Sequence, residues 1–346
     1  MNIIDYIEKH KDEDFYVFKF TEVDNLILSL LSYIDFKDIV PSFNGSKITL
    51  KNAAYKIENK NIKYRGLFFR KVNKMLSVMK NTKRYGNLIL YNYMDIVNNE
   101  MQFSAITIKL NDNSIFVSYS GTDTSIIGWE EDFKMAYLYP GASQKYASVY
   151  LNKTVSLLDK NVIVGGHSKG GNLAISAVMN AKFYIRKKVK IVYNNDGPGF
   201  LKEQLISKKY KNIENKIKMY VPESSIIGMI LYHLDNYTVV KARGFMILEH
   251  DAFNWLCTNN SFIKTKLSKR SQNIEANLTK KLEELPINTR IKLVNNIFDI
   301  FKKCNIKDTK EITFSTLFNL IKNFSYLDKE SQNLLIEFIL LYLKKK

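Results

Sequence analysis

Residues 166–170 read Gly-His-Ser-Lys-Gly, the G-x-S-x-G spacing of a nucleophile elbow. The spacing suits acyl transfer. A serine on a tight strand-to-helix turn projects its Oγ above the sheet, and the flanking glycines keep strand and helix clear of that turn. As a bare pattern it recurs by chance; its neighbours give it weight. VIVGG before it is an apolar, β-branched run of the kind buried in a parallel sheet. Gly170-Gly171-Asn172-Leu173-Ala174 after it opens a helix with small residues that allow close packing on the sheet. The start of that helix favours negative charge where an oxyanion would form, with the Lys169 backbone N–H as one donor. A second donor is expected from Thr122, by N–H or hydroxyl, in the turn after a strand that ends at Ser120.

Ser168 needs a base, and in this architecture the chain order is Ser, acid, His. The chain has four histidines. His10 precedes the serine, and His167 is locked beside it in the elbow. His233 lies within the apolar segment GMILYHL and reads as a core histidine. His250 follows the short run FMIL (245–248) and precedes DAFNWL, in a loop after the last strand, where a catalytic imidazole belongs. Two carboxylates compete to orient it. Asp196 ends the strand KIVYNND ahead of the rigid turn Gly197-Pro198-Gly199, and Glu223 ends the next strand in YVPESS. Either position presents an acid to an imidazole Nδ1, and Asp196 is the expected one.

These residues need a scaffold. Strands are predicted at FYVFKF (15–20), LFFRKV (67–72), FSAITIKL (103–110), SIFVSYS (114–120), NVIVGG (161–166), KIVYNND (190–196), KIKMYV (216–221) and YTVVKA (237–242). Helices are predicted over 23–34, capped by Thr21 or Asp24, over 143–158, and from just after Ser168 through GNLAISAVMNAKFY. Strand and helix alternate from residue 161 onward. The expected fold is therefore α/β, an α/β-hydrolase fold with a mostly parallel central sheet. Near residue 260 the pattern turns helical: IKLVNNIFDIFKK (291–303), FSTLFNLIKNF (314–324) and SQNLLIEFILLYLKKK (331–346). This divides the chain into a hydrolase core over 1–259, with an N-terminal helical and strand segment over 1–80, and a C-terminal helical bundle over 260–346.

Composition narrows the function classes. With 46% hydrophobic and 13% aromatic residues the chain has material for a packed core, which argues against extended disorder. Two cysteines, Cys257 and Cys304, exclude a disulfide framework and fit a reducing compartment. Neither a secretory signal pattern nor a run of about 18 uninterrupted apolar residues is present, so the expected location is cytoplasmic. The formal charge of +18 is mostly lysine. Arginine's planar fork is what base and phosphate recognition uses, so nucleic-acid binding is not expected. Neither a metal constellation nor a phosphate-cradling motif appears, and no cofactor is expected.

The segments SYSGTDTSIIGWEEDF and VIVGGHSKGGNLA resemble the FRGT…W…DL and GHSLGG segments of fungal-type (class 3) lipases. A closer likeness covers nearly the whole chain. YIEKHKDEDFYVFKFTEVDNLILSLLSYIDF, GHSKGGNLA, YNNDGPGF, VPESSIIGMIL and EHDAFNWL resemble, in order, a bacterial family of unknown function, the Mbeg-like α/β hydrolases. The resemblance implies the fold and an acyl-hydrolase triad, without a substrate. Carried over, Ser168 matches the nucleophile, Thr122 the oxyanion residue and His250 the base. Fungal-type lipases place their Asp one strand later, where this chain reads PESSII. Pancreatic-type lipases carry theirs in an LDPAxPxF-like turn that NNDGPGF resembles, which supports Asp196. Lys169 stands where the lipases have Leu, and either favours an anionic substrate or points outward.

The expected activity is thus a lipase-like serine acyl hydrolase of lipid metabolism, cleaving a small-molecule ester, thioester or lipid through a Ser-His-Asp triad. SIIGWEED occupies the place of a lipase lid, where Ile126, Ile127 and Trp129 could meet lipid. The C-terminal NLLIEFILLYLKKK is a bundle helix or a contact with an anionic membrane surface. The rival class is a non-catalytic hydrolase-fold scaffold or regulator, because fold alone does not fix function.

Overall fold

Runs of β-branched and aromatic residues build one eight-stranded sheet whose spatial order follows the chain. The computed structural model describes residues 1–60, 69–244, 248–274 and 279–311. Helices α1 (Ile3–Lys9) and α2 (Glu22–Leu30) come first. After them come β1 (Ile48–Thr49), α3 (Leu50–Glu58), α4 (Phe69–Met79) and the antiparallel strands β2 (Ile89–Val97), β3 (Gln102–Lys109) and β4 (Ile115–Tyr119). Helices α5 (Ile126–Lys134) and α6 (Ala142–Thr154) lead to β5 (Val162–His167), α7 (Lys169–Met179) and α8 (Phe183–Lys188). Next come β6 (Val189–Asn195), the short helices α9 (Lys202–Leu205) and α10 (Lys208–Lys211), β7 (Ile217–Pro222) and β8 (Thr238–Val240). From β4 to β8 every neighbouring pair is parallel. Helices α11 (Lys269–Ile274), α12 (Lys280–Glu284) and α13 (Ile287–Lys303) follow. This is the α/β-hydrolase fold.

Both faces of the sheet are covered, as parallel strands require. In β4 and β5, Val117, Tyr119, Val162 and Val164 join a core with α6 and α7, whereas Phe116 and Ile163 face the N-terminal helices. Thr21 caps α2 through its hydroxyl to the Val23 and Asp24 amides, and Asp24 returns the bond to Thr21 N–H.

Local patterns misled at several places. FYVFKF is not a strand: Asp14 Oδ1 accepts from the Tyr16 and Val17 amides and winds the segment into a turn. Its apolar alternation serves Arg84, whose guanidinium lies 4.2 Å from the Phe15 ring centroid. Residues 69–72 of LFFRKV belong to α4, where Val72, Met75, Leu76 and Met79 are buried at helical spacing. Strand β2 went unforeseen because Asn92, at φ 55°, interrupts its alternation with a bulge between Tyr91 and Met94. The helix after Ser168 stops at Met179, where Asn180 Nδ2 turns back onto the Ser176 carbonyl, and α8 starts afresh. Of FMIL, residues 245–247 lie outside the described residues, as do the stretches 314–324 and 331–346.

Beyond residue 260 the chain first returns to the sheet. The Lys241 amide donates to the Ile263 carbonyl at 2.7 Å and Thr265 to Val239 at 3.0 Å, with Phe262 buried in the core. The stretch 291–303 is helical as expected, within α13, and packs on α5 through Ile126, Val294, Ile297 and Phe298. No helix among the described residues is long and apolar enough to cross a membrane.

Candidate active site

Ser168 stands between β5 and α7 at φ 58° and ψ −135°. A non-glycine residue there carries strain of about 1–3 kcal/mol, and such strain persists where the surroundings over-determine the turn. Here they do: the Ser168 amide donates to the Asn195 carbonyl at 2.9 Å, and the Gly171 amide donates to the Ser168 carbonyl at 2.8 Å. A methyl group on Gly166 would fall 2.2 Å from the Gly170 backbone, and one on Gly170 would fall 2.1 Å from the Tyr119 carbonyl. The two glycines of the motif therefore let strand and helix meet.

Asp196 directly follows β6 at φ 53° and is fully buried. Its Oδ1 accepts from the Ser225 hydroxyl at 2.5 Å and the Gly228 amide at 3.1 Å, which leaves Oδ2 aimed at His250 Nδ1, 2.6 Å away. The expected acid is thus the one in contact with the imidazole. Glu223 does not hold Nδ1; its backbone is engaged with Val240 and Ser268. His233 lies edge-on to Tyr237, and His10 stacks on Phe18 and meets Glu13.

His167 does more than fill the elbow. Its Nε2–H donates to the His250 backbone carbonyl at 2.8 Å, and its Nδ1 accepts from the Tyr33 hydroxyl at 3.0 Å. Those partners assign the tautomer. Burial holds the imidazole well below its usual range, with His250 nearby acting in the same direction, so it stays neutral. The two rings lie 4.6 Å apart at 34°. Tyr33 is pushed up by burial and hence un-ionised, and its hydroxyl also lies 3.2 Å from the His167 carbonyl. A methyl on Gly121 would overlap the Tyr33 hydroxyl and come within 2.9 Å of Ser168 Cβ, so phenol, loop and nucleophile are immediate neighbours.

The Thr122 hydroxyl donates to Asp132 Oδ2 at 2.5 Å. Burial pushes the Asp132 carboxyl up to about 6, against the pull of Lys169 and of the Thr122 bond. The Lys169 side chain matches neither expectation. It is 1% exposed, and its ammonium donates to Gln102 O at 2.9 Å, Gln102 Oε1 at 2.8 Å and Glu131 Oε2 at 3.3 Å. It turns toward the start of β3 and α5, where the buried Glu131 needs a cation. Glu131 also accepts from the Ser143 amide and hydroxyl. Nor is the apolar face of SIIGWEED open at Ile126, which α13 covers.

Tyr33, Asp132, Glu131 and Ser225 went unread in the sequence. Asp132 alone carried a signal, as the acid in the tryptophan-to-acid part of the lipase-like segment. Among the described residues no His, Cys, Asp and Glu cluster has metal-holding geometry.

No curated protein matches the chain. Among solved structures it is similar to Rhizomucor miehei lipase in its propeptide complex, at 14% identity and TM-score 0.34, over 53% of this chain and 64% of that one. It is similar to a fungal lipase–inhibitor complex described as a model for interfacial activation, at 12% and 0.38, over 63% and 77%. A third is M37 lipase, at 14% and 0.36, over 61% and 70%. A sequence model of the Mbeg1-like family matches residues 79–299, well over half of the chain, and the chain belongs to that family.

Proposed function

We propose that this protein is a cytoplasmic serine acyl hydrolase that cleaves a small-molecule ester, thioester or lipid. The observation that carries the reading is the 2.6 Å bond from His250 Nδ1 to a buried Asp196, beside a serine held at φ 58°. Ser168 Oγ attacks the acyl carbonyl while His250 takes its proton. Asp196 holds the imidazole with Nδ1 protonated and stabilises the imidazolium that forms. The Lys169 amide, at the start of α7, and the Thr122 amide receive the oxyanion. His250 returns the proton to the leaving group, and water then repeats the sequence on the acyl-enzyme. Tyr33 and His167 position the His250 loop from behind. The cytoplasmic location is supported by two cysteines that remain free thiols.

The test is the rate of labelling by a fluorophosphonate probe. Ser168→Ala and His250→Ala should abolish it. Asp196→Asn should slow it on the order of 10³-fold or more, as loss of the orienting acid does in other triads, whereas Glu223→Gln should leave it nearly unchanged. Folded wild-type protein that does not label would favour the scaffold reading.

A further inference from the structure

The parallel register sets the starts of β5 and β6 side by side, with Val162 opposite Val189, and β7 joins three residues further along, with Ile217 opposite Val192. The segments that lead into these strands therefore share one edge of the sheet. Ser168 and Asp196 follow the far ends of β5 and β6, so this edge is opposite the candidate active site. Lysine ammonium groups tie the segments together. Lys188 Nζ donates to the carbonyls of Ser156 at 3.1 Å and Asp159 at 2.8 Å, and to that of Leu157. Lys216 Nζ donates to those of Arg186 and Val189 at 3.0 and 2.8 Å.

Two features coincide on this edge. Leu158, Leu157, Ile206 and Phe183 are 89%, 76%, 72% and 62% exposed, four of the five most exposed large apolar side chains among the described residues. Single exposed apolar residues need no explanation, but a concentration of them marks an interaction surface. Around them, segments 153–160, 182–190 and 207–216 hold two, five and four basic residues against one, none and one acidic. That is half of the chain's formal excess of +18. The Leu157–Leu158 turn is also held in place: the Ser156 amide donates to Asp159 Oδ2 at 2.7 Å, and Lys188 pins the carbonyls. The fold has already met the ordering cost of presenting two leucines to water.

We infer that this edge docks on an anionic lipid bilayer, with Leu157, Leu158, Phe183 and Ile206 entering the headgroup boundary and the lysines not tied to carbonyls, Lys187 and Lys190 among them, meeting lipid phosphates. Leucine and isoleucine offer nothing to a nucleic-acid phosphate or base edge, which take donors and stacking rings. Apolar tips inside a lysine ring gain from both only at a charged lipid interface. Docking through the opposite edge leaves the mouth of the candidate active site facing away from the bilayer, so attachment and turnover are separable.

Full-length protein should co-sediment with phosphatidylcholine vesicles containing phosphatidylglycerol and not with pure phosphatidylcholine, and binding should fall as salt rises. Leu157→Asp with Leu158→Asp, and separately Lys187→Glu with Lys190→Glu, should each lower partitioning at least about tenfold. Fluorophosphonate labelling should be unchanged in both, and Val97→Asp, an exposed site at the end of β2, should bind as wild type. Wild-type partitioning in the leucine pair overturns the inference, as does equal binding to neutral vesicles. Absent vesicle binding overturns it too, and a nucleic acid then retained through the lysines assigns the edge to nucleic acid. A protein that docks but does not label keeps the docking inference and removes the hydrolase reading instead.

Discussion

Lys169 and Asp132 face each other across 4.0 Å beneath the turn that carries Thr122, and their balance sets which proton lies between Thr122 and the carboxyl. While Asp132 is ionised, the Thr122 hydroxyl must donate to it, and only backbone amides are left for an oxyanion. Once Asp132 is protonated it can donate to Thr122 Oγ1, which frees the hydroxyl to point elsewhere. Because its carboxyl is pushed up to about 6 from an ordinary 3.8, the native state holds this proton over a window where the unfolded chain has released it. Its contribution to stability is therefore full below about 3.8 and is lost as pH rises through about 6. Asp132→Asn removes that titration. The stability of wild type relative to Asp132→Asn should fall by up to about 2 kcal/mol between pH 4 and pH 7, read from urea unfolding at each pH. A difference that is flat with pH, or one that grows in favour of wild type, would remove Asp132 from this role.

At the scale of elements, α5 carries Asp132 and Glu131 and leans on α13 through Phe133 and Phe298, whose rings meet edge-on at 5.3 Å. The chain beyond α13 also pairs with the turn before α5. The Ile126 amide donates to the Lys307 carbonyl, the Thr309 amide to the Thr124 carbonyl, and the Thr124 hydroxyl to Asp308 at 2.6 Å. Phe298 is 2% exposed, so Phe298→Ala should cost about 3–4 kcal/mol and loosen α5 with it. Labelling should slow in a variant that still melts cooperatively; an unchanged rate would mean α5 holds Thr122 without α13. Such couplings explain what sequence reading could and could not reach. The elbow was legible because its strand, glycines and small-residue helix are contiguous. Chain order and a short count of histidines pointed to His250, and the turn after residue 196 favoured Asp196 over Glu223; His250 and Asp196 lie 2.6 Å apart. The direction of Lys169 was not legible, since it depends on Gln102 and Glu131, distant in the chain. FYVFKF and LFFRKV failed for a related reason: short apolar runs fit a turn around Arg84 or a helix face as well as a strand, and only the neighbours decide.

Over the whole molecule, the N-terminal segment is latched to the sheet domain by a buried ion pair. Arg84, in the turn between α4 and β2, meets Asp24 of α2 through two bonds, Nη2 to Oδ2 at 2.6 Å and Nε to Oδ1 at 2.8 Å, with both side chains fully buried. Tyr85 adds a bond to Oδ1 at 2.6 Å and Tyr6 of α1 one to Oδ2 at 3.2 Å, while Arg84 also donates to the Phe18 and Glu13 carbonyls. One centre thus gathers α1, the 14–18 turn and α2. Helix α2 runs on through a single turn to Tyr33, whose hydroxyl holds His167, so the latch reaches the candidate active site through the chain itself. A buried pair gains little over a well-packed apolar substitute, but removing one partner strands the other charge. Arg84→Met should therefore destabilise by about 3–5 kcal/mol and slow fluorophosphonate labelling. Adding Asp24→Leu to it should recover part of the stability, short of the whole because the Tyr85 and Tyr6 hydroxyls and the Thr21 amide at the start of α2 lose their acceptor. Chemical denaturation of the three proteins reads this directly. If the double variant is no more stable than Arg84→Met, the cost lies in lost packing around the guanidinium rather than in a stranded charge, and the latch is a matter of shape.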